Sequence, residues 1–124
     1  MSLTVVKDEL QNIGVPYEYM RWTSPVNGAY FVGELSEFPR VTEDGAIEKT
    51  LLLTGTTRGT WFELENYRKQ IEAHFPPIYG LRKATDHGSG SVAIFYENSN
   101  PVPTGEEDLK RIQINLKIKE WRCD

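Results

Sequence analysis

The sequence predicts an α+β domain: an antiparallel β-sheet with two helices on one face, in the order α-β-β-β-α-β-β-β. Three observations lead there. The C-terminal stretch LKRIQINLKIKEW places Ile112, Ile114, Leu116 and Ile118 on alternate positions, with Arg111, Gln113, Asn115, Lys117 and Lys119 between them, which is the period of a half-buried strand. Two other stretches repeat apolar residues at spacings of three and four, the period of a helix that buries one side. The remaining runs are short, rich in β-branched and aromatic residues, and separated by glycine and proline turns, a pattern that favours antiparallel pairing.

In chain order, Leu3, Val6, Leu10 and Ile13 make the first helical stripe, with Ser2 placed to cap it and Gly14 and Pro16 to end it. Tyr17 to Thr23 (YEYMRWT) and Ala29 to Glu37 read as an antiparallel hairpin, joined by the turn chemistry of Ser24-Pro25-Val26-Asn27-Gly28. Phe38 to Ile47 turns polar and acidic, an exposed loop or the tip of a long hairpin. Glu48 to Thr56 carries three consecutive leucines, which suggests burial on both faces and a central place in the sheet.

Thr60-Trp61-Phe62-Glu63 matches a capping box, in which the threonine hydroxyl accepts from the Glu63 amide and the glutamate reaches back to the Thr60 amide. The second helix therefore begins at Trp61, buries Trp61, Leu64, Tyr67, Ile71 and Phe75, and stops at Pro76-Pro77. Ile78 to Thr85 and Ser91 to Glu97 form a second hairpin around Asp86-His87-Gly88-Ser89-Gly90, and Asn98 to Asp108, with two prolines and a glycine, reads as loop. The final strand, Leu109 to Trp121, would span about 43 Å at roughly 3.3 Å per residue. That exceeds what the domain needs, so part of it is expected to bend or project. Its basic, amide-rich face suits solvent, a sheet edge guarded by lysine, or contact with another chain.

Residues 1–124 fit one domain, and 39% hydrophobic content builds a core without disulfides or metal. A net charge of -4, from 18 acidic and 14 basic residues, argues against a protein whose main task is gripping nucleic-acid phosphates. The single cysteine, Cys123, has no partner for an intrachain disulfide, and no run approaches the roughly 18 apolar residues of a membrane span. With no secretory leader pattern either, synthesis in a reducing cytoplasm is expected.

His74, His87 and Cys123 lack the spacing of a zinc site, so no metal or cofactor is expected. Asp86, His87 and Ser89 share one flexible turn, where rigid triad geometry is not expected. Glu43, Asp44 and Glu48 lie in an acidic stretch without an apolar pocket to raise a carboxylate pKa. Gly55 to Thr60 leads from a strand into a helix N-terminus that could hold an anion, although a tight structural connection is the favoured reading and the lysine of a nucleotide-binding loop is missing. Arg58 is left to pair with an acid of a neighbouring chain. These features point to a binding or assembly part rather than an enzyme.

Tyr30 to Glu34 (YFVGE), Thr42 to Gly45 (TEDG), Leu53 to Gly59 (LTGTTRG), Phe95-Tyr96, Pro101 to Gly105 (PVPTG), Lys110 to Leu116 (KRIQINL) and Glu120-Trp121 carry a resemblance. The chain resembles small morphogenesis proteins of the head-to-tail region of long-tailed phages and prophages, in the tail-completion or tail-terminator group. The resemblance covers most of the chain from Tyr30 onward and contains no catalytic signature. It implies a virion protein, made in the bacterial cytoplasm, that forms a ring, commonly of six copies, at the head-proximal end of the tail tube. Its partners would be its own copies, the major tail tube protein and the head connector, with DNA passing through the ring without specific binding. The basic strand face makes Lys117, Lys119 and Trp121, together with Arg58, the candidate subunit interface. The acidic residues Glu34, Glu37, Glu43, Asp44 and Glu48 are the candidate channel lining, because carboxylates repel phosphates. A head-closure or connector component is the neighbouring alternative, and a small phage or bacterial enzyme or ligand-binding protein the more distant one.

Overall fold

The computed structural model describes residues 2–25, 28–35, 40–43, 45–84 and 90–122. Its elements run α1 (Ser2–Asn12), β1 (Tyr17–Tyr19), β2 (Tyr30–Leu35), β3 (Arg40–Val41), β4 (Ile47–Thr57), α2 (Trp61–His74), β5 (Leu81–Ala84), β6 (Gly90–Val102) and β7 (Lys110–Arg122). The strands lie side by side as β1-β2-β4-β7-β6-β5, with the two-residue β3 paired to β4. This is the predicted α+β fold in the predicted order of elements, with β3 as an addition and a mostly antiparallel, curled sheet.

Alternation of side chains divides the sheet into two faces. Phe31, Leu51, Leu53, Val92, Ile94 and the four alternate residues Ile112, Ile114, Leu116 and Ile118 fall on one, and they pack in a single core with Val6 and Leu10 of α1 and Leu64 and Ile71 of α2. α1 ends as its sequence dictates. Gly14 takes a φ of 83°, its amide donates to Gln11 O (3.0 Å) and the Val15 amide donates to Leu10 O (3.0 Å), so the last carbonyls are satisfied while Val15 folds back onto the core. The predicted cap, Ser2, is itself the first helical residue.

Glu9, buried on α1, ties the layers at the other end of α2. Its Oε1 lies 2.8 Å from His74 Nε2 and its Oε2 3.7 Å from Lys83 Nζ. His74 thus has a structural partner across the two helices.

Several sequence expectations are corrected. β1 is not one arm of a hairpin: it is three residues long and runs parallel to β2, with Tyr17 opposite Phe31. Met20, at φ 69°, stops it, because the Arg21 amide turns back to Tyr19 O (2.8 Å) and Glu18 then accepts from the Thr23 hydroxyl (2.6 Å). The aromatic run had suggested a longer strand, but that local turn diverts the chain first. The supposed loop after Glu97 is strand as far as Val102. A bulge between Tyr96 and Asn98 absorbs one residue, and Pro101 is tolerated because β5 covers only Ser91 to Ile94 and leaves this part of β6 as an edge. Ile78 and Tyr79 lie exposed in a turn, and β5 begins only at Leu81.

The terminal strand does not project and is not an edge. β7 is paired with β4 on one side and β6 on the other along nearly all its length, so its backbone has no free ladder to offer another chain. At α2, the Thr60 hydroxyl accepts from the Glu63 amide (3.3 Å) as predicted, but the Glu63 carboxylate reaches the Ala29 amide (2.6 Å) instead of Thr60. Trp61 is 44% exposed, so the inner stripe starts at Leu64.

Candidate functional site

Opposite the core, no helix covers the sheet among the described residues, and the segment after β1 lays Trp22 against Tyr30 at one end of this face, with ring centroids 5.3 Å apart. Register arranges this face in rows that cross it. Glu48, Lys119, Ala93 and Arg82 form one row; Thr50, Lys117 and Phe95 the next; then Glu34, Leu52, Asn115 and Asn98; and finally Tyr30, Thr56, Arg111 and Val102 at the far end. Most of these side chains are half-buried, as expected for long chains lying flat on a curled sheet.

The first two rows, with Trp121, make a basic and aromatic patch. Lys117 Nζ sits 6.0 Å from the Phe95 ring centroid, and the Arg82 guanidinium 5.7 Å from that of Trp121. Ala93, fully buried on this face, lies opposite Lys119 and Arg82. None of Arg82, Lys117 and Lys119 has a carboxylate within ion-pair distance among the described residues, whereas Lys49 pairs with Glu120 at 3.2 Å. A hollow of about 220 Å³, lined by Arg82, Lys83, Ser91 and Trp121, opens beside the patch.

Lys117, Lys119 and Trp121 therefore come together, as their alternate spacing implies. Arg58 does not join them: it lies in the turn after β4 and is held by Asp108 (2.8 Å) and Glu106 (3.5 Å) of its own chain rather than left for a neighbour. Glu34 and Glu48 share the helix-free face with the lysines, and Glu43 is exposed in the β3–β4 turn, where Thr42 and Ala46 hydrogen-bond to each other. Glu37 and Asp44 lie outside the described residues, as do Cys123 and the Asp86-His87-Ser89 cluster. Sequence reading missed Arg82 and Phe95. Phe95 alternates with Ile94 and Tyr96, which puts it on the face away from the core, but only the β6–β7 register reveals Lys117 as its neighbour.

The Gly55 to Thr60 connection is closed from within. Glu63 Oε2 lies 3.4 Å from the Thr57 hydroxyl, the Gly59 amide donates to that hydroxyl (3.0 Å), and a Cβ on Gly59 would stand 2.7 Å from the carboxylate. An internal carboxylate thus takes the place an external anion would need, which agrees with the structural reading of this turn. Beside it lies a cavity of about 520 Å³ whose walls include Tyr30, Thr56, Arg58, Glu63 and Arg111. Arg111 Nε donates to the Thr56 hydroxyl at 3.3 Å.

No protein-family model and no curated protein matches the chain. Solved structures do match: one aligns with 100% of this chain and 99% of its own, with a TM-score of 0.66 at 14% identity. That protein's name describes no activity, and at this identity the likeness shows the fold alone.

Proposed function

We propose that this chain is a phage virion assembly protein that forms a ring at the head-proximal end of the tail tube, acting as a tail terminator or tail-to-head joining protein. The observation that carries the reading is the sheet face that no helix covers among the described residues, six strands wide and bearing a basic and aromatic patch at one end. A rigid face of this kind suits docking on protein. The segments that resemble the phage proteins also support it, since pairing brings them side by side: Phe31, Gly55, Ile112 and Pro101 come from four of those segments and stand in one row across β2, β4, β7 and β6. The resembling segments therefore share one sheet and the core beneath the helices.

The test is to mix the protein with purified tail tubes and image the ends. Closed rings on one end only are expected, and tubes left bare would overturn the reading. Binding to head connectors instead would move the protein to the head-closure side of the joint. A second reading, a small ligand-binding protein, is favoured by the cavity beside Glu63, whose size falls within that of small-molecule sites. Thermal stabilisation by a small molecule, lost in Arg111→Ala, would favour it.

A further inference from the structure

The two ends of the sheet carry complementary surfaces. β4, eleven residues long, sets the distance between them at about 36 Å, taking roughly 3.3 Å per residue. At the end where β4 begins lie Lys117, Lys119 and Arg82 with the rings of Phe95 and Trp121 and the hollow beside them. At the end where it finishes, the loop between β6 and β7 presents Glu106, Glu107 and Asp108, all exposed. Glu107 has no ion-pair partner among the described residues.

That loop is already shaped. The Thr104 hydroxyl donates to Leu109 O (2.7 Å) and accepts from the Glu106 amide (3.2 Å), Gly105 takes a φ of 78°, and Arg58 anchors Asp108 and Glu106 from the side. A loop fixed in advance loses little conformational freedom on docking. Its protruding carboxylates are opposite in sign to Arg82, Lys117 and Lys119, which have no ion pair among the described residues.

Resting on the ring reading above, we infer that the acidic β6–β7 loop of one copy docks on the Arg82–Lys117–Lys119–Trp121 patch of the next copy. Because the two surfaces differ and lie at opposite ends of the sheet, the contact is head-to-tail: it repeats from copy to copy and ends only when rotation closes a ring. The strand β7 contributes its face, not its backbone. The contact lies at exposed charges, so it weakens as salt rises.

A charge swap tests this on full-length protein and tail tubes. Lys117→Glu with Lys119→Glu gives a copy whose patch and loop are both acidic; Glu106→Lys with Glu107→Lys gives one whose patch and loop are both basic. Each variant alone should lose ring formation at tube ends by roughly tenfold or more. An equal mixture should recover it, because patch and loop are then opposite in sign at every contact of an alternating ring, and the four-fold variant in one chain should recover it as well. Rings formed as well as wild type by either variant would overturn the contact while leaving the ring reading intact. Loss without recovery in both the mixture and the four-fold variant would assign the patch to the tube protein instead. A wild-type protein that makes no rings would remove both the contact and the reading on which it rests.

Discussion

Ile114 and Leu116 of β7 are fully buried under the helix layer, while Asn115 and Lys117, each one residue along the same strand, remain half-exposed on the opposite face. The same backbone ladders hold both sets, yet the sets do different work. Apolar burial, at about 25 cal/mol per Å², concentrates the stability on the helix side. The other side consists of long polar chains lying over a few apolar ones, and exposed charges of this kind contribute little to stability. Folding and the proposed docking should therefore respond to different substitutions, on opposite faces of the sheet.

The largest effect is expected at Phe31, which is fully buried, packs edge-on against Tyr67 with ring centroids 5.7 Å apart, and lies across from Gly55. Phe31→Ala should cost about 3 to 5 kcal/mol in denaturant unfolding. Gly55→Ala tests the same spot from below: its new Cβ would meet the Phe31 ring, and overpacking of this kind costs about 1 to 3 kcal/mol. A neutral Gly55→Ala would show that the ring moves aside freely and that the core is looser there than its burial implies.

Thr60→Ala should cost about 1 kcal/mol through the lost cap on α2. Trp61→Ala should cost less than Phe31→Ala by several kcal/mol, because much of the indole is already in water. Equal losses for the two aromatics in chemical denaturation would place Trp61 back in the core.

A further expected effect follows from pH. Burial, with a smaller contribution from Tyr19, pushes the Tyr17 phenol from 10.0 up to about 12. The folded state favours the neutral ring, so this contribution is whole below pH 10, where the unfolded chain also stays neutral, and is lost as pH rises from there through 12. Tyr17→Phe should therefore lose less stability than wild type between pH 9 and pH 11.5, measured by urea midpoints. Parallel losses in both proteins would leave Tyr17 without a role in alkaline unfolding.

Much of this was legible in the sequence because the relevant signals are local. The alternation from Ile112 to Ile118, the stripe of α1 with Gly14 behind it, and the Thr60 cap each depend on neighbours within a few residues, and each stands in the structure. What was not legible depends on register and on distant partners. Glu63 looked like half of a capping box because nothing in the sequence reveals that the Ala29 amide, thirty-four positions away, is nearer than the amide of Thr60. β7 looked like a projecting edge because its length was judged alone, before β4 and β6 supplied strands of similar length on either side. The candidate face was half visible: Lys117, Lys119 and Trp121 follow from alternation, while Arg82 and Phe95 enter only through pairing.

The proposed division, one face folding the chain and the other docking it, is tested by taking a single variant through two assays. Lys117→Glu with Lys119→Glu should keep an unfolding free energy within about 0.5 kcal/mol of wild type in denaturant titration and yet leave purified tail tubes uncapped under the electron microscope. Capping at the wild-type level by that variant, or a loss of capping matched by an equally large loss of stability, would contradict it.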